Sequence, residues 1–155
     1  TEDARLAQVH GVFVSLHTLE DHQLRGCVGS LWVDRPLIET VAEMAVEAAT
    51  GDARFSALQP AALREMSLEV SVLSEASPIA PADVLPGVHG LYVAAGRRRG
   101  LLLPQVAADY GWTRDELLTE ACRRAGLPVD AWRQPGTQVQ AFTAEVFSDL
   151  TELAD

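Results

Sequence analysis

Cys27 stands in the run LRGCVGS, between two glycines and two residues after Arg25. A nucleophilic cysteine needs its thiolate favoured by a nearby positive charge or a histidine. Read as a strand, the run puts Arg25 and Cys27 on one face, roughly 6 to 7 Å apart. Arg25 would supply field but has no capacity to take a proton. A base would have to come from His17 on the neighbouring strand, His22 in the intervening turn, or His89. Residues opposite each other in a hairpin share a face, so the right register would bring His17 to Cys27. The alternative is a small buried sulfur, in a strand whose glycines admit close backbone approach.

Asp52 and Arg54, two apart in DARF, form a second constellation. Such a pair can bind a carboxylate or phosphate through the arginine fork. It can equally fix its own loop, with Phe55 as an anchor in the core. His89 lies in GVHGLYV at a strand start, where an imidazole that titrates near neutral pH is free to reach into a groove or simply to complete a turn. Glu69 projects from a strand face as a general base or as an ion-paired surface residue. Metal ligation has little support. The four histidines, His10, His17, His22 and His89, and the two cysteines show no CxxC, HxxxH or HExxH spacing. Cys122 falls on the helix face of Leu118 and Ala125 and reads as buried and inert. Trp32, Trp112 and Trp132 read as packing residues. No cofactor is implied by any motif.

The chain has 155 residues, a formal net charge of -10 and 12 basic residues. All of the basic residues are arginine, so a P-loop lysine, a pyridoxal-phosphate Schiff base and a lysine general base are excluded within these residues. There is no asparagine, hence no N-glycosylation acceptor. The acidic balance argues against nucleic-acid binding. Arg97-Arg98-Arg99, between glycines, reads as a solvated turn. No apolar run approaches the roughly 18 residues of a membrane span, and no signal peptide is visible. Two cysteines in unlike contexts do not form a disulfide framework, so a cytoplasmic protein is expected. The Lys-free, Ala- and Arg-rich composition fits a GC-rich bacterial genome.

The elements that must position these residues follow from periodicity. GVFVSLHT (11–18) alternates and pairs with LRGCVGSL (24–31) as a hairpin across a polar turn. Asp34 and Pro36 mark a helix start with an acidic N-cap, and Gly51 its end. Pro60 opens a short helix, and SLEVSVLS (67–74) is a strand. Residues 77–87 make an irregular connection. Strands 90–95 and 100–103 flank GRRR, helices follow from Pro104 and from a Thr113–Glu116 capping box, and 138–147 reads as one final strand. Hairpins mixed with helices, without βαβ alternation, predict an α+β fold with a mainly antiparallel sheet flanked by helices. We expect one domain over 1–155. Its larger subregion would be about 1–76 plus 138–150, its smaller one about 77–137. With about 10 residues ahead of the first strand, an N-terminal segment is expected to be missing.

An ordered set of motifs resembles the AMMECR1 domain. They are GVFVSLHT with LRGCVGSL, then Asp52-x-Arg54-Phe55, LEVSVLS, GVHGLYV, GLLLPQVA, Trp112, the helix ending CRRAGL, and Phe142 with Phe147. The resemblance runs from Gly11 to Asp149. DARF replaces the commoner DPRF, and the helix that usually precedes GVF is mostly absent. The resemblance implies a two-part α+β fold with a larger and a smaller region. It assigns no reaction. It also implies a component of a system with MEMO-like and radical-SAM proteins, beside which such domains are often encoded. Two functions remain open. One is an enzyme or enzyme subunit whose cleft holds Arg25, Cys27 and His89 or Asp52. The other is a noncatalytic binding or scaffold domain whose acidic surface meets a partner.

Overall fold

The computed structural model describes residues 4–8 and 11–149. Contacts divide the chain into two compact units, 1–73 with 145–155, and 74–144. The first unit is built on strands β1 (Gly11–Thr18), β2 (Leu24–Ser30), β3 (Met66–Leu73) and β8 (Ala144–Ser148), in the order β2-β1-β3-β8. β1 pairs antiparallel with both β2 and β3. Val12, Val14 and Leu16 alternate onto one buried face. Their register partners are Ser30, Val28 and Gly26 on β2, and Val72, Val70 and Leu68 on β3. Helix α1 (Leu37–Thr50) packs against β1 and β2 and turns Leu37, Thr40 and Ala48 inward.

The glycines of LRGCVGS have separate steric reasons. A Cβ on Gly26 would lie 1.9 Å from the Ala48 carbonyl oxygen, so only a bare backbone lets α1 seat this closely. A Cβ on Gly29 would lie 2.3 Å from the Phe13 ring, which rests across the opposite face of the sheet.

The second unit contains β4 (Ser77–Pro78), β5 (Gly90–Ala95), β6 (Arg98–Leu102) and β7 (Gln138–Phe142), in the order β4-β7-β5-β6, all paired antiparallel. Helices α2 (Pro104–Tyr110) and α3 (Arg114–Arg124) accompany this sheet. The core joins Leu91, Val93 and Leu102 to Leu117, Leu118 and Cys122. Replacing fully buried Leu117 by alanine is expected to destabilise the protein by about 2–5 kcal/mol, read from urea melts, because transfer free energy is lost and a cavity remains.

The α+β class with antiparallel sheets is as the patterning predicts, and Cys122 is buried. Thr113 caps α3, its Oγ1 accepting from the Glu116 N–H at 3.3 Å, and the Glu116 carboxylate accepts from the Thr113 hydroxyl at 3.2 Å. Four local expectations are corrected. Asp34 does not cap α1: Pro36 occupies the N-cap position, with no side-chain cap bond. Residues 138–147 are two strands in different sheets, broken at Thr143, since a continuous apolar alternation cannot show where a chain changes sheet. β6 begins at Arg98, so Arg98 and Arg99 belong to a strand; their guanidiniums donate to the Gly126 carbonyl and the Tyr92 hydroxyl. Trp112 and Trp132 pack on the second core, but Trp32 is 64% exposed.

Candidate functional site

Among the described residues β2 is the edge strand of its sheet, so its outward N–H groups have no strand partner there. At Cys27 that partner is a side chain: the Cys27 N–H donates to Asp52 Oδ2 at 3.0 Å. Asp52 lies in the loop that follows α1. Its carboxylate also accepts from the Arg54 N–H at 3.0 Å, from Arg54 Nε at 3.0 Å and from Arg54 Nη2 at 2.7 Å. The Asp52 side chain is only 7% exposed, whereas that of Arg54 is 59% exposed. These bonds, led by the Arg54 side chain and followed by the Arg54 and Cys27 amides, hold the Asp52 carboxyl well below the usual carboxylate range.

Phe55 is the second fastening. The Arg54 guanidinium lies 5.4 Å and the Arg25 guanidinium 5.5 Å from its ring centroid. Arg25 Nη2 donates to the Ser56 carbonyl at 2.9 Å. Arg25 Nη1 is enclosed without an acceptor among the described residues, so it offers an anion no open approach. LRGC and DARF thus form one junction between the edge strand and the loop.

The register decides what reaches the sulfur. Cys27 pairs with Ser15, which pairs with Glu69 across the next strand. These three therefore share the sheet face opposite α1. His17 pairs with Leu24, and the ladder is irregular between Leu16 and His17, which leaves Arg25 without a register partner. The irregularity follows from one extra residue on β2. His17 stacks on His22, with centroids 4.6 Å apart and planes inclined 12°. His22 sits in the left-handed region at φ 53°.

Burial pushes the Cys27 thiol up from its ordinary value. The Arg54 guanidinium pulls it back, and the Asp52 and Glu69 carboxylates push it further up. The cation acting on the sulfur is thus Arg54 rather than Arg25. The sequence pairs Asp52 with Arg54 and offers Asp52 as a cleft neighbour of Cys27, but does not show that the link is a bond from the Cys27 backbone N–H. The signal that could have linked them is the unpaired edge of the hairpin, which requires an acceptor from elsewhere.

His89 belongs to the second unit. Its Nδ1 accepts from the Leu85 N–H at 3.0 Å, closing a turn within that unit. His10 lies outside the described residues. Among the described residues no group of three or more His, Cys, Asp or Glu is arranged to hold a metal ion. None of their helices is long and apolar enough to cross a membrane.

Comparison with known proteins matches this architecture to a family. A protein of Methanopyrus kandleri is 42% identical over 153 residues, spanning 94% of this chain and 74% of the relative. One from Methanothermobacter thermautotrophicus is 44% identical over 149 residues, spanning 92% of this chain and 77% of the relative. The crystal structure of an uncharacterized protein from Pyrococcus horikoshii superposes with a TM-score of 0.89 at 37% identity, covering 94% of this chain and 76% of that one. The AMMECR1 family matches residues 1–147, and the chain belongs to that family.

Proposed function

We propose that this chain is a cytoplasmic, noncatalytic binding subunit that works with MEMO-like and radical-SAM proteins. In this reading the LRGC–DARF junction is a structural clasp. The observation that carries it is the state of the two groups best suited to chemistry. The Asp52 carboxylate already accepts four hydrogen bonds, from Cys27 and Arg54, and has no role left as a free base. Burial, aided by two carboxylates, raises the Cys27 thiol against the pull of Arg54, which disfavours the thiolate a nucleophile needs. The partner classes come from the family resemblance of the sequence.

Alkylation tests the clasp. Native Cys27 should react with iodoacetamide at pH 7.5 more slowly than a free thiol, and should speed up when the protein is unfolded in urea. A native rate equal to that of the free thiol would sink the noncatalytic reading. Co-expression tests the partners: a MEMO-like or a radical-SAM protein should co-elute with this chain on size exclusion. If neither does, the assignment of partners fails while the clasp can stand.

A further inference from the structure

The whole formal charge of -10 resides in one unit. Residues 1–73 with 145–155 hold five arginines against fifteen aspartates and glutamates, whereas 74–144 hold seven of each sign. Within the acidic unit, α1 has an unusual outer surface. Leu37, Thr40 and Ala48 face the sheet. Ile38 is 41% exposed, Val46 is 61% exposed, and Ala42 between them is also exposed. These three recur every fourth residue and form an apolar stripe over two turns. Glu39, Glu43 and Glu47 recur at the same spacing one residue further on, so an acidic rail runs beside the stripe. A surface depression is lined by Ala42, Glu43, Val46 and Glu47, where stripe and rail meet. Arg35 engages Glu43, while Glu39 and Glu47 have no ion pair among the described residues.

A single exposed valine needs no explanation. A stripe in register with a row of carboxylates fits a particular occupant. Resting on the reading of this chain as a binding subunit, we infer that the outer face of α1 docks a basic amphipathic helix of a partner protein. Apolar side chains of that helix would cover Ile38, Ala42 and Val46, and its lysines or arginines would meet Glu39, Glu43 and Glu47. The charge of the unit favours this encounter and opposes the alternatives. A second copy would bring an equally acidic unit against it. An anionic lipid surface or a nucleic acid would be repelled.

The probe is a synthetic helix with leucines on one face and lysines flanking them. A scramble of the same composition and a glutamate-for-lysine counterpart serve as controls. In NMR titrations the basic helix should shift amide resonances of α1, and neither control should. Val46→Gln and Ile38→Gln should each weaken binding several-fold, and together about tenfold or more. Replacing Glu39, Glu43 and Glu47 by glutamine should weaken binding and flatten its salt dependence. All these positions are exposed, and unchanged thermal midpoints would confirm intact folding. The inference is overturned if the resonance shifts miss α1, if the scramble binds equally well, or if Val46→Gln and Ile38→Gln leave affinity unchanged. It is also overturned if sedimentation shows self-association through α1 that these variants abolish. Because Cys27 alkylation does not involve α1, failure here is distinguishable from failure of the noncatalytic reading.

Discussion

Gly26→Ala is expected to cost about 1–3 kcal/mol or more, with the loss centred on the seating of α1. The added Cβ would meet the Ala48 backbone oxygen at 1.9 Å and its carbonyl carbon at 2.9 Å. Backbone atoms cannot turn aside as a flexible side chain can, so either α1 lifts or β2 bends. Movement of β2 also pulls on the Cys27 N–H bond to Asp52, one residue away. The predicted signature is a lower urea midpoint, with NMR shift changes concentrated in α1 and in the β1–β2 hairpin. Gly136→Ala is the control, since a Cβ there has nothing within 4 Å. It should stay within about 0.5 kcal/mol of the parent. Equal stability of the two variants would refute the close packing of α1 on β2.

The second large effect is expected from Asp52→Asn. The substitution removes a nearly buried carboxylate that gathers the edge of β2 and both ends of the Arg54 interaction. Its folded-state pKa is depressed, so its contribution is fully present above the unfolded carboxylate value of about 3.9. That contribution is lost as pH falls from there through the folded value. Asp52→Asn should therefore lower the thermal midpoint by a constant amount between about pH 5 and 8, and the gap to the parent should narrow below about pH 4. Asp34→Asn, at a side chain 97% exposed, should change far less. Cys27 should alkylate faster in Asp52→Asn, because a carboxylate that raises the thiol is gone. The Cys27 amide should also exchange faster with solvent. A pH-independent gap would refute the charge-based account of the clasp.

Some features of the site could be read directly from residue types. Asp52 and Arg54, two apart, do pair with each other, whereas Phe55, expected in the core, is only partly buried and meets the Arg25 and Arg54 guanidiniums. The β1–β2 hairpin was visible in its alternation. Its register was not. The regular ladder from Val12–Ser30 to Leu16–Gly26 sets Ser15 rather than His17 beside Cys27, and the irregularity between Leu16 and His17 then shifts the pairing toward the turn. A local pattern of period two carries no information on one extra residue in a partner strand. Arg25 illustrates the same limit. Strand alternation placed it beside Cys27, yet its guanidinium turns to Phe55 and Ser56.

The sequence by itself determined most of the secondary-structure types, the α+β class and the signs of charge, because these depend on composition and short-range periodicity. It also held the motif order that resembles AMMECR1. Only the tertiary structure decided three things. It showed why Gly26 must be glycine, since Ala48 lies more than twenty residues away in the chain. It showed that Cys27 and Asp52, 25 residues apart, are one hydrogen-bonded unit. It also showed that the apolar stripe of α1 faces outward. The physical reason is common to all three. Steric exclusion, edge pairing and burial are set by atoms brought together across long loops, and a one-dimensional pattern does not record those distances.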